Sequence, residues 1–151
     1  MIVDAVIEMP ENSTYKYEID KSTGDLRLDR TLGIQVPFNY GYVPNTHCAD
    51  GDPLDIFVAS SHPILAKAHV KAKIIGVFRC IDNGAEYDKL VAVLVGEDQN
   101  AQDLETKNGI KNLVEYYLKT YKQGFQVIDY DDEIEAAAVL RKSQELFQAD
   151  I

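Results

Sequence analysis

The residues with the most chemical capacity lie together in Asp50-Gly51-Asp52-Pro53-Leu54-Asp55. Gly51 admits backbone conformations that other residues resist, and Pro53 biases Asp52 toward an extended conformation. Asp50 and Asp52 can then project the same way. Asp55 follows inside an apolar stretch, between Leu54 and Ile56, where an unpaired carboxylate is costly to bury. Three carboxylates within six residues repel one another unless something positive compensates them. A hard divalent cation such as magnesium meets that need, because it takes oxygen ligands and keeps several waters. A solvated acidic turn is the plainer reading, since turns recruit Asp and Gly for backbone reasons. An EF-hand loop is excluded: counting from Asp50, the sixth position is Asp55 rather than Gly and the twelfth is Ser61 rather than Glu. No GxxxxGK[ST] segment occurs, which argues against P-loop nucleotide hydrolysis.

Other candidates are weaker when taken singly. Lys16 shares a strand face with Glu18, while Arg30, Lys89 and Lys122 lie near polar or aromatic residues. Surface solubility is the plain account of each. Cys48 and Cys80 form no CxxC pair, and His47, His62 and His69 lack zinc-site spacing. The cysteines are expected to be reduced thiols packed as small hydrophobes.

The elements that must position these groups fall into two periods. Tyr15 to Ile19 alternates, Asp20 to Asp25 is a polar turn, and Leu26-Arg27-Leu28 resumes the alternation, which predicts a hairpin. Leu54 to Ala59, Val70 to Ile81 and Lys89 to Val95 are further strands, with Asp82-Asn83-Gly84 a turn between the last two. The final third becomes helical. Ile110, Leu113, Val114, Tyr117, Leu118 and Tyr121 share one stripe, which marks Tyr121 as core, and Gly124 is the expected stop. Asp131 or Asp132 caps a second helix with Ala136, Val139, Leu140 and Leu146 or Phe147 on its apolar face. Strands followed by two helices predict an α+β fold, a small barrel or strongly curved sheet flanked by helices.

The 151 residues suit one domain, expected over 1–151, with an apolar fraction of 46% that suffices for a buried core. No apolar run is long enough to span a membrane and no signal-peptide pattern opens the chain, so the cytoplasm is the expected location. A net charge of −10 repels nucleic acid. An anionic substrate would therefore need bound cations or a local basic patch.

The segment DGDPLDI resembles the signature of soluble family I inorganic pyrophosphatases. The likeness runs through Val6-Ile7-Glu8-Met9-Pro10, Lys16-Tyr17-Glu18-Ile19-Asp20, Asp29-Arg30, Asn39-Tyr40-Gly41-Tyr42, Asp82, Lys89-Leu90-Val91-Ala92-Val93 and Tyr121-Lys122. Each fragment is weak alone; their order and spacing together are specific. The resemblance implies a small OB-like five-stranded β-barrel with flanking C-terminal helices, magnesium as cofactor and a homo-oligomer, commonly a hexamer in bacteria. It implies hydrolysis of inorganic pyrophosphate to two phosphates by metal-activated water. Asp50, Asp55 and Asp82 match metal ligands, Glu8 and Glu18 match acidic residues that help hold metal and water, and Asp52 matches the proton acceptor. Lys16, Arg30, Tyr40, Tyr121 and Lys122 match phosphate-binding positions, with Lys89 a lysine at the site's edge.

The match departs before Lys89. Where the family has a second metal-binding Asp, two residues ahead of that lysine, this chain has Tyr87. A one-residue bulge would let Asp88 substitute, since neighbours on a regular strand face opposite ways. Asn83 replaces an acidic residue, and Val36 replaces an aromatic one. These departures motivate an alternative: a weakened or inactive relative that binds phosphate compounds or a partner protein. An OB-like nucleic-acid module is disfavoured by the charge and by the lack of a basic aromatic strand face.

Overall fold

The structure is a computed structural model and describes residues 1–97 and 103–150. The rest of the domain expected over 1–151 lies outside the described residues. In chain order the elements are β1 (Ile2–Met9), β2 (Tyr15–Ile19), β3 (Leu26–Thr31), β4 (Asn39–Val43), β5 (Leu54–Ala59), β6 (His69–Asp82), β7 (Ala85–Glu86), β8 (Lys89–Leu94), α1 (Leu104–Thr120), β9 (Phe125–Asp131) and α2 (Glu133–Ala149).

Five strands close a ring in the order β1-β4-β5-β8-β6, with β6 returning to β1. The ring is antiparallel except where β5 and β8 run parallel. Alternate residues of all five strands meet inside it, among them Ala5, Ile7, Val43, Ile56, Val58, Ala72, Ile74, Leu90 and Ala92. Burying each branched side chain there stabilises the fold by about 2 kcal/mol. Ala136 and Leu140 of α2 join that cluster, so the second helix packs on the barrel through its predicted apolar face. Asp132 caps α2 by accepting from the amides of Ile134 and Glu135. This is the small OB-like five-stranded barrel with C-terminal helices that the sequence implied.

The opposite face of the same strands carries a second cluster. Phe57, Phe78, Val91 and Met9 pack there against Ile110, Val114, Tyr117 and Leu118 of α1. Leu113, expected on that stripe, is 54% exposed, because α1 covers the sheet along one face and Leu113 turns away with Tyr116. Gly124 does not stop the helix, which ends at Thr120 with Tyr121 as its cap. Its φ of +80° instead starts β9, and its carbonyl accepts from the Asn83 amide at 3.2 Å, bracing the turn after β6. β9, absent from the sequence reading, pairs with β6 between the two helices.

The β2–β3 hairpin forms separately from the ring as a two-stranded sheet. β3 is exposed along its whole length, and Tyr15 is exposed as well, so of the alternating face of β2 only Tyr17 and Ile19 reach the core.

Candidate active site

The parallel pairing of β5 and β8 places Asp55 opposite Lys89, and the antiparallel pairing of β4 and β5 places Tyr42 opposite Asp55. Alternation then brings Tyr40, Asp55 and Lys89 up on the outer face of the barrel. Lys89 Nζ donates to Asp55 Oδ2 at 2.6 Å and to the Tyr40 hydroxyl at 2.8 Å. Lys89 is only 5% exposed, so it stands in the floor of the site rather than at its edge. Burial works against its charge, but the Asp55 carboxylate, with the Tyr40 and Tyr121 phenols behind it, holds it well above the usual ammonium range. Burial and the Asp55 charge push Tyr40 well above the ordinary phenol.

The acidic loop arrives beside this floor. Gly51 adopts φ +85°, the Cys48 amide donates to the Asp52 carbonyl at 2.7 Å, and the Asp52 amide donates to Asp50 Oδ1 at 3.0 Å. Thr46 fixes the return into β5 by donating to the Val43 carbonyl and accepting from the Leu54 amide. Asp50 and Asp52 are exposed. Desolvation, with the Asp50 charge behind it, raises Asp52 above the ordinary carboxylate.

Asp82, at the end of β6, forms another wall. Its Oδ2 accepts from Lys122 at 2.5 Å, while its Oδ1 is buried without a partner. Lys122 follows Tyr121, whose ring stacks on Tyr117 at 4.8 Å and meets Phe125 edge-on. Tyr121 is therefore both packed on the core and part of the cleft wall.

The hairpin closes the remaining side. Lys16 lies 3.2 Å from Glu18 and 3.7 Å from Asp29, and Arg30 lies 3.7 Å from Asp29. Glu8 is buried, and its Oε2 accepts from the Ile19 amide at 2.8 Å and from Lys21 at 3.0 Å. That carboxylate oxygen ties the hairpin to the barrel. Burial raises the Glu8 pKa despite those two donors.

Every residue named from the sequence lines one cleft of about 310 Å³: Glu8, Lys16, Glu18, Arg30, Tyr40, Asp50, Asp52, Asp55, Asp82, Asp88, Lys89, Tyr121 and Lys122. Lys21, Tyr42, Cys48 and Tyr87 line it too, without having been named as site residues. Lys21 sits over the Tyr42 ring at 4.4 Å, and its place in a polar turn hid it. Tyr87 lies in the link between β7 and β8, just ahead of Lys89. It lines the cleft with Asp50 and Asp52, while the charges that act most on Asp88 are Arg79, Glu86, Lys142 and Asp129.

Among the described residues, no three carboxylates converge closely enough to form a ligand cluster on their own. Lys89 and Lys122 hold Asp55 and Asp82 toward themselves. A magnesium ion needs only one or two protein carboxylates beside waters and substrate oxygens. The all-oxygen donor set fits such an ion, and the orphaned Asp82 Oδ1 is a buried acceptor in want of one.

An OB-like barrel with a cleft of carboxylates and cations on its outer face has the donors to hold a metal-bound phosphate compound. The family model for inorganic pyrophosphatase matches residues 5–148, and the chain belongs to that family. It is 37% identical to soluble inorganic pyrophosphatase 2 of Chlamydomonas reinhardtii, over 97% of this chain and 81% of that protein. It is 38% identical to the inorganic pyrophosphatase of Halalkalibacterium halodurans, over 92% of this chain and 90% of that one. The crystal structure of the Thermus thermophilus inorganic pyrophosphatase superposes with a TM-score of 0.89 at 31% identity, covering 97% of this chain and 91% of that one.

Proposed function

We propose that this chain hydrolyses inorganic pyrophosphate to two phosphates, with magnesium as its cofactor. The observation that carries the reading is the meeting of Asp50, Asp52, Asp55 and Asp82 with Lys16, Arg30 and Lys122 around one cleft. Carboxylates there suit cations, and the basic side chains suit phosphate oxygens.

Magnesium, when bound, would neutralise the polyanion and acidify the attacking water. Asp50, Asp55 and Asp82 would hold the cations, with Glu8, Glu18 and the rim residue Asp88 as supporting carboxylates. Asp52 takes the proton from the water. Lys16 and Arg30 on the hairpin, and Tyr121 and Lys122 after α1, bind the phosphate that leaves. Tyr40 and Lys89 complete the phosphate-binding floor and orient Asp55.

Phosphate release from pyrophosphate across a magnesium titration tests this directly. Absence of release at every magnesium concentration, from folded protein, overturns it. Tyr87, a phenol lining the cleft where a metal-binding carboxylate is expected, favours a second reading, a relative that binds phosphate compounds or a partner protein without turnover. Calorimetry that shows pyrophosphate binding with no hydrolysis would select it. The two unpaired cysteines support action in the reducing cytoplasm, and Leu113 and Tyr116, exposed on α1, support assembly of copies of this chain. Among the described residues no helix is long and apolar enough to cross a membrane.

A further inference from the structure

The β2–β3 hairpin presents two cations to the cleft as a pair. Lys16 and Arg30 are directly opposite in the register, and Asp29 stands 3.7 Å from both, which offsets the repulsion of like charges on paired strands. Yet the hairpin forms a sheet of its own, and β3 is exposed from end to end. A two-stranded hairpin is marginally stable by itself. Its place over the cleft must therefore be fixed by the barrel.

Two hydrogen bonds tie the hairpin to the barrel, and both end on one atom. Glu8 Oε2, on β1, accepts from the Ile19 amide at 2.8 Å and from Lys21 Nζ at 3.0 Å. Glu8 is 5% exposed, so its charge is costly there without a cation beside it. Lys21 supplies that cation, and its ammonium also lies 4.4 Å over the Tyr42 ring. One side chain thus spans β1 and β4, which are neighbours in the ring. Lys21 itself belongs to a turn closed by hydrogen bonds. The Ser22 amide donates to Asp20 Oδ1 at 2.9 Å, the Gly24 amide to the Asp20 carbonyl at 2.7 Å, and the Asp20 amide to the Asp25 carbonyl at 2.8 Å. A shift of Lys21 therefore carries the hairpin with it, Lys16 and Arg30 included.

We propose that Lys21 is a positioning residue: by gripping Glu8 and Tyr42 it locks the hairpin onto the barrel, and so sets how well Lys16 and Arg30 hold a phosphate group. The inference rests on the pyrophosphatase reading for the ligand, while the lock itself is independent of any activity. The ammonium is committed to Glu8 and the Tyr42 ring, so Lys21 acts through the two hairpin cations and not on the phosphate.

The experiment makes two measurements on the full chain, amide hydrogen exchange and calorimetric binding of inorganic phosphate in magnesium chloride. Lys21→Met removes the charge and keeps an apolar stem against Tyr42. Its hairpin amides, Ile19 first, should exchange about three- to tenfold faster, with those of β5 and β8 unchanged. Phosphate should bind about three- to tenfold more weakly. Lys21→Arg keeps the charge and the ring contact, so it should stay within about twofold of wild type on both readouts. In a Glu8→Gln background, adding Lys21→Met should change either readout less than about twofold, because the shared partner is gone. Unchanged hairpin exchange in folded Lys21→Met overturns the proposal; weaker phosphate binding beside it would mean that Lys21 touches the anion directly. Faster exchange with undiminished phosphate affinity overturns it too, since the lock would then position nothing. Pyrophosphate hydrolysis is assayed on the wild-type preparation. Faster exchange and weaker phosphate binding in Lys21→Met, with no hydrolysis by wild type, uphold the lock while sinking the proposed activity, so the two failures are distinguishable.

Discussion

Lys89 Nζ lies 2.6 Å from Asp55 Oδ2 because β5 and β8 run parallel with these two residues in register. The lysine side chain is 6% exposed and the aspartate 27%, so the pair is held largely out of water. Breaking one partner of a buried pair leaves an uncompensated charge. Lys89→Met should therefore lower stability by about 3 kcal/mol, read from urea unfolding. Adding Asp55→Asn should recover much of that loss, because it removes the stranded carboxylate. A double variant as unstable as the sum of the singles would refute the coupling.

Asp52→Asn keeps the loop shape, since the Cys48 amide bonds the backbone carbonyl of residue 52 and not its side chain. The amide cannot accept the proton of the attacking water. Turnover should fall by about 10²- to 10⁴-fold, while magnesium affinity measured by calorimetry changes little. Undiminished phosphate release would remove Asp52 from the role of base.

Asp82 and Asp88 should separate on magnesium binding. Asp82 carries a buried, unpartnered oxygen in the cleft wall, whereas the charges around Asp88 lie on the side of Arg79 and Lys142. Asp82→Asn should weaken magnesium binding by about tenfold or more, in the range seen when groups around a metal are removed. Asp88→Asn should weaken it less. The reverse order would place the principal ligand at the rim.

Gly41 shows how closely the barrel packs beneath the tyrosines of β4. A Cβ at this position would stand 1.9 Å from the Val6 carbonyl oxygen, a backbone atom that cannot swing aside. Gly41→Ala should destabilise the protein by about 3 kcal/mol, measured by thermal or urea unfolding. It should also impair hydrolysis, because Tyr40 and Tyr42 flank the displaced segment. A variant of wild-type stability would mean that β1 and β4 separate more easily than their register suggests.

The strands that alternate or run apolar, β2, β5, β6 and β8, were legible because a period of two survives in Tyr15 to Ile19 and dense Val, Ile and Phe mark the others. β9 was not. Phe125-Gln126-Val127-Ile128-Asp129-Tyr130-Asp131 has only Phe125 buried, so pairing with β6 and not composition makes it a strand. The acidic loop was readable from residue types, since Gly51 and Pro53 constrain it locally. Lys21, by contrast, reaches the cleft through a turn closed by Asp20 accepting from Ser22 and Thr23, and nothing in its own identity says so. Lys89 looked peripheral because a parallel register between strands 34 residues apart cannot be read along the chain.

The two cysteines should be slow to react in the folded protein. Burial pushes the Cys48 thiol up to about 12, with the Asp55, Asp50 and Asp88 charges adding to it, and burial likewise pushes Cys80 up to about 12. The thiolate is the reactive form, and a raised pKa means that form is scarce at neutral pH. At pH 8 an exposed cysteine, with a pKa of about 8.5, is substantially ionised, while these two hold roughly one thiolate in 10⁴. Alkylation by iodoacetamide at pH 8 should therefore be slow for both in native protein and fast for both in urea. Raising the pH should speed the native reaction steadily, with no plateau near the ordinary thiol pKa. Cys48 lines the cleft while Cys80 is buried on β6, so Cys48 should be the first to label. Magnesium bound by Asp50 and Asp55 would offset two of the charges that raise the Cys48 thiol, and should speed its labelling while leaving Cys80 less affected. Rapid labelling of Cys48 without magnesium at pH 8 would show that the acidic loop stands open and the thiol in water.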